Sequence, residues 1–151
     1  MDIWSPKKRS EVMSRIRSKN TGPERTLRSL LYSMGYRFRL HAKDLPGKPD
    51  IVFRQRSAAI FVHGCFWHLH AGCRDGTIPK SNRNHWRTKL QRNVSRDRQH
   101  VRKLRRMGWG VLTVWECEIE KMEERLTRKM KVFLSGRHVI RAKFAPSARK
   151  E

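Results

Sequence analysis

The chain has 151 residues, with 36 lysines and arginines against 13 aspartates and glutamates, so its formal net charge is +23 at pH 7. This length suits one domain that buries roughly two-thirds of its unfolded surface. The charge favours a polyanionic partner, DNA or RNA, through neutralisation of phosphates. The longest apolar run, Ala58 to Val62, is too short to span a bilayer, and the basic N-terminus lacks the apolar segment of a targeting signal. We expect a soluble cytoplasmic protein without a membrane partner.

The first two predicted elements are helices. Ser5-Pro6 is a typical N-cap and first-turn pair, and it predicts a short basic helix that ends near Arg17. A second helix is predicted from the capping box Thr21-Gly-Pro-Glu24 to a stop at Gly35. Its apolar positions recur at helical spacing and are Leu27, Leu30, Leu31 and Met34.

Strand periodicity follows. Tyr36, Phe38 and Leu40 alternate with polar residues and predict a first strand, which a turn over residues 45–49, Leu-Pro-Gly-Lys-Pro, ends. Two buried strands are predicted over residues 51–53 and 58–62, because short apolar runs there are rich in β-branched and aromatic residues.

The second half of the chain is predicted to form a helix, a strand and a further helix. A long helix is predicted from about Asn82 to Met107, and the run Val111 to Trp115 predicts a strand. The order α-α-β-β-β-α-β-α predicts one mixed α/β domain over residues 1–136, which begins with the basic helix within residues 1–20. Residues 137–151 form a basic tail that we expect to be disordered. The last helix is marked by Ile119, Met122, Leu126, Met130 and Phe133.

Asp97 is out of place in the long helix, because at 100° per residue it falls in the middle of the apolar face, with Asn93 close by. An unpaired buried charge is strongly unfavourable, so we expect a histidine or an arginine of another element to contact this carboxylate. The sequence leaves a structural pair with an arginine and a pair with His68 both open. The apolar residues of this face are Trp86, Leu90, Val94, Val101 and Leu104.

Three cysteines and a histidine have the chemistry and spacing of zinc ligands. Cys65, His70 and Cys73 lie in one segment, and Cys117 comes just after a predicted strand. An odd number of cysteines without a secretion signal favours reduced thiolates over disulfides. These residues predict a closed, structural Cys3His site, with His68 as the alternative fourth ligand. The competing interpretation is that the cysteines are small buried hydrophobic residues.

Two acidic residues have both a functional and an ordinary structural explanation. Asp50 begins a strand directly after the Pro-Gly-Lys-Pro turn, where a carboxylate can help to hold Mg²⁺ at the end of a sheet. A lone aspartate at such a position is more often a turn residue. The capping box by itself explains Glu24.

Several segments, taken in chain order, carry a resemblance to a known family. They are Glu24, residues 45–50 (Leu-Pro-Gly-Lys-Pro-Asp), residues 61–68 (Phe-Val-His-Gly-Cys-Phe-Trp-His), Trp86, residues 93–97 (Asn-Val-Ser-Arg-Asp) and residues 110–117 (Gly-Val-Leu-Thr-Val-Trp-Glu-Cys). Together they resemble the very-short-patch-repair (Vsr) mismatch endonucleases, over roughly residues 5 to 135. The central segment, with histidines and a cysteine among aromatic residues, is the most specific part.

The resemblance implies a variant of the restriction-endonuclease-like PD-(D/E)XK fold, a central mixed sheet flanked by helices. In the commoner form of that fold, the strand after the metal-binding aspartate carries a second acid and a lysine, whereas residues 62–64 here are Val-His-Gly. The resemblance implies instead that Asp50 and the backbone carbonyl of Val62 bind Mg²⁺.

The resemblance also assigns roles to the remaining polar residues. His68, hydrogen-bonded to Asp97, would be the general base that acts on the attacking water. His63 would protonate the leaving 3′ oxygen or hold a phosphate, two roles that the sequence does not separate. Glu24 would hold a water ligand of the metal.

The aromatic residues have a packing and a binding interpretation. Phe66, Trp67 and Trp86 can be ordinary core residues, and this applies most to Trp86 on the apolar face of the long helix. The resemblance implies that they wedge into the DNA stack at a mismatch, where unstacking costs less than at a paired step. We also assign Lys89 and Asn93 to DNA contacts.

The function implied by the resemblance is Mg²⁺-dependent nicking of one DNA strand beside a T:G mismatch, in a zinc-stabilised protein. We expect a bacterial, nucleoid-associated monomer that contacts other mismatch-repair proteins. Two alternatives remain open at this point. One is a non-catalytic, zinc-stabilised nucleic-acid-binding module, and the other is a restriction or junction nuclease of the same fold.

Overall fold

The computed structural model describes residues 20–136 together with Ser5, Lys7, Lys8, Glu11 and Val12. The backbone amide of Lys8 donates to Ser5 Oγ at 3.3 Å, as expected of a serine N-cap. The rest of the predicted basic helix and the predicted basic tail lie outside the described residues. Within the described part of the chain, no helix is both long and apolar enough to cross a membrane.

The first described helix, α1 (Gly22–Ser33), has the predicted N-cap, Thr21, but the reciprocal bond of the predicted capping box goes to Asn20, one residue earlier than the N-cap. Thr21 Oγ1 accepts the backbone N–H of Glu24 at 3.4 Å, and the Glu24 carboxylate accepts the N–H of Asn20 at 3.1 Å. The helix ends before Gly35, whose φ of +89° is the left-handed conformation that glycine adopts readily. The cap therefore fixes Glu24 at the start of α1.

Four strands form one sheet in the order β1-β2-β3-β4. The strands are β1 (Arg39–Leu40), β2 (Ile51–Phe53), β3 (Ala58–His63) and β4 (Gly110–Trp115). β1, β2 and β3 pair antiparallel, whereas β3 and β4 are parallel. A single turn of 3₁₀ helix (Arg54–Arg56) joins β2 to β3. The predicted mixed α/β class is confirmed.

The predicted first strand was too long. Only Arg39–Leu40 pairs with β2, and Tyr36 and Phe38 precede the strand. Both rings instead pack edge-on against Phe53, with ring centroids 6.0 Å and 5.9 Å away. Their alternating pattern reflects side-chain packing on the core, which does not require a hydrogen-bonded ladder.

The long helix α2 (Arg83–Arg106) is confirmed close to its predicted limits, and it is the crossover between β3 and β4. Parallel strands require such a connection. Trp86, Leu90 and Leu104 are its buried residues, whereas Val94 and Val101 are only partly buried.

The sheet has a hydrophobic core on each face. One face packs against α1, α3 (Glu116–Lys121) and α4 (Glu124–Ser135), and the other packs against the second half of α2. Residues of β3 alternate between the two cores, with Ile60 on the first and Phe61 on the second.

The predicted single C-terminal helix was wrong. Met122 has a φ of +43°, which ends α3, and α4 begins two residues later. Met122 is 48% exposed, so it is not one of the core residues of this region. The core contacts come from Ile119 in α3 and from Leu126, Met130 and Leu134 in α4, which sit at helical spacing on one face.

Candidate active site and metal centre

A groove of about 1220 Å³ opens where the C-terminal ends of β3 and β4 meet. Ligand sites of open α/β sheets commonly lie outside the carboxyl ends of strands. The start of α1, the turn before β2, the segment after β3 and the middle of α2 line it. The predicted functional residues that line the groove are Glu24, Asp50, Val62, His63, Phe66, Trp67, His68, Asn93 and Asp97.

Asp50 is held at the edge of β3. Its Oδ2 accepts the backbone N–H of Val62 at 2.7 Å, which continues the β2–β3 pairing through a side chain. The N–H and C=O of one strand residue point to the same side, so the Val62 carbonyl faces Asp50 as well. Burial raises the pKa of Asp50 from 3.8 to about 7, although the bond from Val62 opposes this shift. A hard divalent cation would favour the charged carboxylate, and the carboxylate and carbonyl oxygens suit Mg²⁺.

Glu24 and His41 stand beside Asp50. Glu24 is only 2% exposed, and its Oε2 accepts a hydrogen bond from Arg28 Nη2 at 2.8 Å. His41 Nδ1 lies 4.0 Å from Asp50 Oδ1, and His41 Nε2 lies 3.7 Å from Glu24 Oε2. The backbone N–H of His41 donates to the Asp50 carbonyl at 3.2 Å, which holds His41 at a φ of +49°.

Sequence reasoning missed His41 and Arg28. His41 follows a strand pattern without a recognisable motif, and Arg28 is one of many arginines. The only available signal for Arg28 was its position four residues after Glu24, where helical side chains meet.

His68 and Asp97 form a pair, which decides between the histidine and the arginine partner that the position of Asp97 on the apolar face left open. His68 Nδ1 lies 2.5 Å from Asp97 Oδ2, and both side chains are about one-fifth exposed, at 22% and 20%. The backbone N–H of His68 donates to the Gly64 carbonyl at 3.2 Å. This bond closes a tight turn after β3, which presents the His68 ring to α2. His68 is therefore oriented through Nδ1, which leaves its Nε2 for chemistry.

His63 stacks in parallel on His68, with the ring centroids 3.8 Å apart and the planes at 5°. Burial and, to a smaller extent, the neighbouring His68 together lower the pKa of His63 from 6.5 to about 4, although the Asp97 carboxylate opposes this shift. His63 is thus neutral near pH 7.

The predicted metal ligands converge on one point. One ligand atom from each of Cys65, His70, Cys73 and Cys117 lies within 4.8 Å of the others. His70 Nδ1 is 3.5 Å from Cys65 Sγ and 3.4 Å from Cys117 Sγ. Tetrahedral Zn²⁺, with Zn–N of about 2.1 Å and Zn–S of about 2.3 Å, would separate such atoms by about 3.6 Å. The donor set and its spacing fit a zinc ion.

His70 joins the cysteine cluster, whereas His68 faces Asp97. The His70 ring stacks on Trp115 at 4.1 Å between centroids, with 8° between the planes. Trp115 ends β4 and Cys117 follows in α3, so the cluster ties the segment after β3 to the end of β4.

The aromatic candidates form a single cluster on the groove. Phe66 lies 5.1 Å from Trp67 and 5.4 Å from Trp86 between ring centroids. Trp86 is only 7% exposed, whereas Phe66 and Trp67 are half-buried and line the groove. Lys89 Nζ sits 5.3 Å from the Trp67 ring and 5.6 Å from the Trp86 ring. Asn93 Nδ2 donates to the Trp67 carbonyl at 3.1 Å, which fixes the turn beneath Trp67.

A histidine paired with a carboxylate shares an open groove with a buried aspartate in a strongly basic chain, an arrangement that suits a nuclease. The family model described as DNA mismatch endonuclease Vsr matches residues 1–74. The type II nicking enzyme V.XorIIP of Xanthomonas oryzae pv. oryzae is 53% identical over 121 residues, 80% of this chain and 88% of the relative. The chain belongs to the Vsr family of DNA endonucleases.

Two further relatives support the same assignment. The type II nicking enzyme V.NmeAIP of Neisseria meningitidis is 43% identical over 130 residues, 84% of this chain and 92% of the relative. The DNA mismatch endonuclease Vsr of Escherichia coli K12 is 38% identical over 139 residues, 89% of this chain and 88% of the relative. The predicted family is confirmed, and its substrate is DNA.

Proposed function

We propose that this endonuclease nicks one DNA strand beside a T:G mismatch in a Mg²⁺-dependent reaction. The observation that carries the proposal is the His68–Asp97 pair, which shares a groove with the buried carboxylate of Asp50. The Escherichia coli relative is named as a mismatch endonuclease, and the relatives with higher identity are named as nicking enzymes. Both names describe endonucleases, and specificity for a T:G mismatch is what the proposal adds to this shared activity.

Asp50 and the carbonyl of Val62 would hold Mg²⁺ at the end of β3. When bound there, the ion would neutralise charge on the scissile phosphate. Its position is supported by the Asp50–Val62 contact at 2.7 Å and by the burial of the Asp50 carboxylate. Glu24 faces the same part of the groove and would orient a water.

His68 would accept the proton of the attacking water at Nε2. Asp97 keeps the other proton on Nδ1, and its charge stabilises the imidazolium that forms. The stacked, neutral His63 suits a hydrogen bond to a phosphate oxygen better than donation of a proton to the leaving group, because it lacks that proton near pH 7.

Phe66 and Trp67 would enter the base stack, with Trp86 packed behind them. The half-buried Phe66 and Trp67 are accessible, as a wedge must be, whereas the buried Trp86 is suited to support them rigidly. Lys89 lies against the same rings and would add a positive charge next to the DNA backbone. Asn93 supports the Trp67 turn and would contact DNA from the same helix.

Zinc would have a purely structural role. The Cys3His set offers four protein ligands, which leaves no open position for a substrate. Its effect would be to hold the segment that carries Phe66, Trp67 and His68 against the end of β4.

A nicking assay on paired oligonucleotide duplexes tests the function. The two duplexes differ only at one base pair, T:G or T:A, and each is incubated with and without Mg²⁺. We expect Mg²⁺-dependent nicking of one strand of the T:G duplex only. Equal nicking of both duplexes would support a nuclease with a different substrate, and binding without nicking would support a non-catalytic module.

A further inference from the structure

The segment before β2 brings two lysines to the wall of the groove. Lys43 and Lys48 are exposed, and both line the groove. Leu45, between them, is buried in the core on the α2 face of the sheet. A Cβ atom at Gly47 would lie 2.8 Å from Cβ and Cγ of His100, so the turn packs directly against α2. The backbone that carries both lysines is therefore held in place.

The positive charges of these lysines are not neutralised by their neighbours. Among the described residues, neither lysine side chain has a hydrogen bond or an ion pair. Asp44, which follows Lys43, is held instead by Arg54 through hydrogen bonds of 2.9 Å and 2.6 Å. Exposed and unpaired lysines suit a polyanion, because each phosphate that they neutralise releases counterions.

The helix α2 sets the order of features along the groove. Trp86 belongs to the aromatic cluster. Asp97 contacts His68 at the proposed reaction centre, and His100 packs against the turn that carries Lys48. At about 1.5 Å per residue, Trp86 and His100 are about 21 Å apart along the helix, with Asp97 between them. The reaction centre therefore separates the aromatic wedge from the lysines.

Arg96 adds a third positive charge on the same side of the groove. It is exposed, lines the groove and lies one helical turn before His100. Its Nη2 donates to Asn93 Oδ1 at 3.0 Å, and Asn93 Nδ2 donates to the Trp67 carbonyl. A guanidinium has five N–H donors, so this bond leaves others for a ligand.

We propose that Lys43, Lys48 and Arg96 form a basic patch that binds phosphates of the cut strand on the side of the nick away from the mismatch. The inference rests on the proposed function, because it takes the wedge and the reaction centre as fixed points on the DNA. The strand is then held on both sides of the scissile phosphate. The rise of about 10 Å from Asn93 to His100 corresponds to about three phosphates, which are about 3.4 Å apart along the duplex axis.

The test combines charge removal from the protein with charge removal from the DNA. The wild type and Mg²⁺ first locate the nick in a T:G duplex. A second T:G duplex then carries neutral methylphosphonates in place of the first three phosphates beyond the nick, on the side away from the mismatch. A third duplex carries the same replacements in the uncut strand. Affinities for all three are measured without divalent ions.

The protein variants are matched in charge. Lys43→Gln/Lys48→Gln removes two charges of the basic patch, and Arg125→Gln/Lys131→Gln removes two exposed charges of α4, on the other face of the sheet. Arg96→Gln is measured separately, because it also loses the bond to Asn93. Circular dichroism and Tm establish that each variant is folded.

We expect the neutral phosphates of the cut strand to weaken binding by the wild type and the α4 variant roughly tenfold. The loss should be much smaller in Lys43→Gln/Lys48→Gln and reduced in Arg96→Gln, because the contacts are already missing. The replacements in the uncut strand should show no such coupling. The salt slope, log Kd against log salt concentration, should fall by about 2 in the lysine variant and stay unchanged in the α4 variant.

The outcomes separate the basic patch from the proposed function. An equal loss of affinity in the wild type and the lysine variant would overturn the patch and leave the nuclease proposal intact. An equal fall in salt slope in the lysine and α4 variants would do the same. A wild type that nicks neither strand would contradict the proposed function and the patch with it. Equal nicking of T:G and T:A duplexes, with the phosphate coupling preserved, would retain the patch and reject the mismatch.

Discussion

His68 Nδ1 lies 2.5 Å from Asp97 Oδ2, a contact that joins the turn after β3 to the inner face of α2. The two residues are 29 positions apart in the chain. The pair accounts for the only acidic residue that the periodicity of α2 places among its apolar positions. It also fixes which nitrogen of His68 faces the groove.

The first prediction concerns this pair. His68→Ala should lower the single-turnover nicking rate by roughly 10²- to 10⁴-fold, the usual contribution of a general base. Asp97→Asn should retain more activity, because the base remains although its orientation and charge stabilisation are weakened. Duplex affinity should stay nearly unchanged, since phosphate contacts over the surface dominate it. Asp44→Asn, at an exposed pair with Arg54, is the control. Wild-type rates in His68→Ala would exclude His68 as the base.

The second prediction is the pH dependence of the site at Asp50. Its pKa is raised from 3.8 to about 7 in the ion-free fold, so the folded state keeps a proton that the unfolded chain releases. The contribution of Asp50 to the free energy of unfolding is therefore fully present below about pH 4, and it is lost as the pH rises to about 7. A divalent ion must displace the proton, so its affinity should fall about tenfold per pH unit below about pH 7.

Thermal unfolding at about pH 6 and about pH 8, with and without Mg²⁺, measures this coupling. The increase in Tm caused by Mg²⁺ should be larger at the higher pH. Asp50→Asn should remove both the Mg²⁺ effect and its pH dependence, and should abolish nicking. The same Mg²⁺-induced shift in Asp50→Asn would place the ion elsewhere.

The third prediction concerns zinc. Protein purified without added zinc should contain about one zinc ion per chain, and Cys117→Ser should lose both the ion and cooperative unfolding. His70→Ala and His68→Ala form a matched pair, because only His70 lies among the cysteines. Elemental analysis should find zinc lost from the first and retained in the second. Full zinc content in His70→Ala would rule out His70 as a ligand.

The fourth prediction is that the wedge selects the mismatch. Trp67→Ala should strongly reduce nicking of a T:G duplex, because the contacts that offset unstacking are lost. The salt dependence of non-specific binding should change little, since it reports phosphate contacts. Tyr32→Ala, a 60% exposed aromatic outside the groove lining, should behave as wild type. A Trp67→Ala enzyme that keeps its preference for T:G over T:A would show that another feature selects the mismatch.

The fifth prediction concerns Gly47, in the turn that leads to Asp50. Its φ is +75°, and a Cβ atom there would lie 2.8 Å from Cβ and Cγ of His100 in α2. Gly47→Ala should destabilise the fold by roughly 1–3 kcal/mol, through backbone strain and steric overlap. Gly47→Ala/His100→Ala should recover only the part of the overlap that involves the imidazole ring, because alanine keeps the Cβ atom of His100. Urea unfolding measures both variants, and an unchanged Gly47→Ala would show that the turn can move away from α2.

The local patterns of the sequence were sufficient for most of the secondary structure. The Thr21 N-cap of α1, the limits of α2 and the strand β4 depend on nearby residues, and the structure confirms each of them. The errors occurred where contacts between residues distant in sequence determine the local conformation. Tyr36 and Phe38 pack on Phe53 without joining the sheet, and Met122 adopts a left-handed conformation that divides the last helix.

By itself, the sequence determined the family, the charge, the donor chemistry of the Cys3His set and the need of Asp97 for a partner, because composition and periodicity contain this information. Only the tertiary structure decided that His68 pairs with Asp97 and that His70 joins the cysteines, because spacing does not distinguish two histidines in one turn. The contact of Arg28 with His41 likewise depends on the packing of α1 against the segment before β2. Contacts between elements fix it, and no local pattern encodes them.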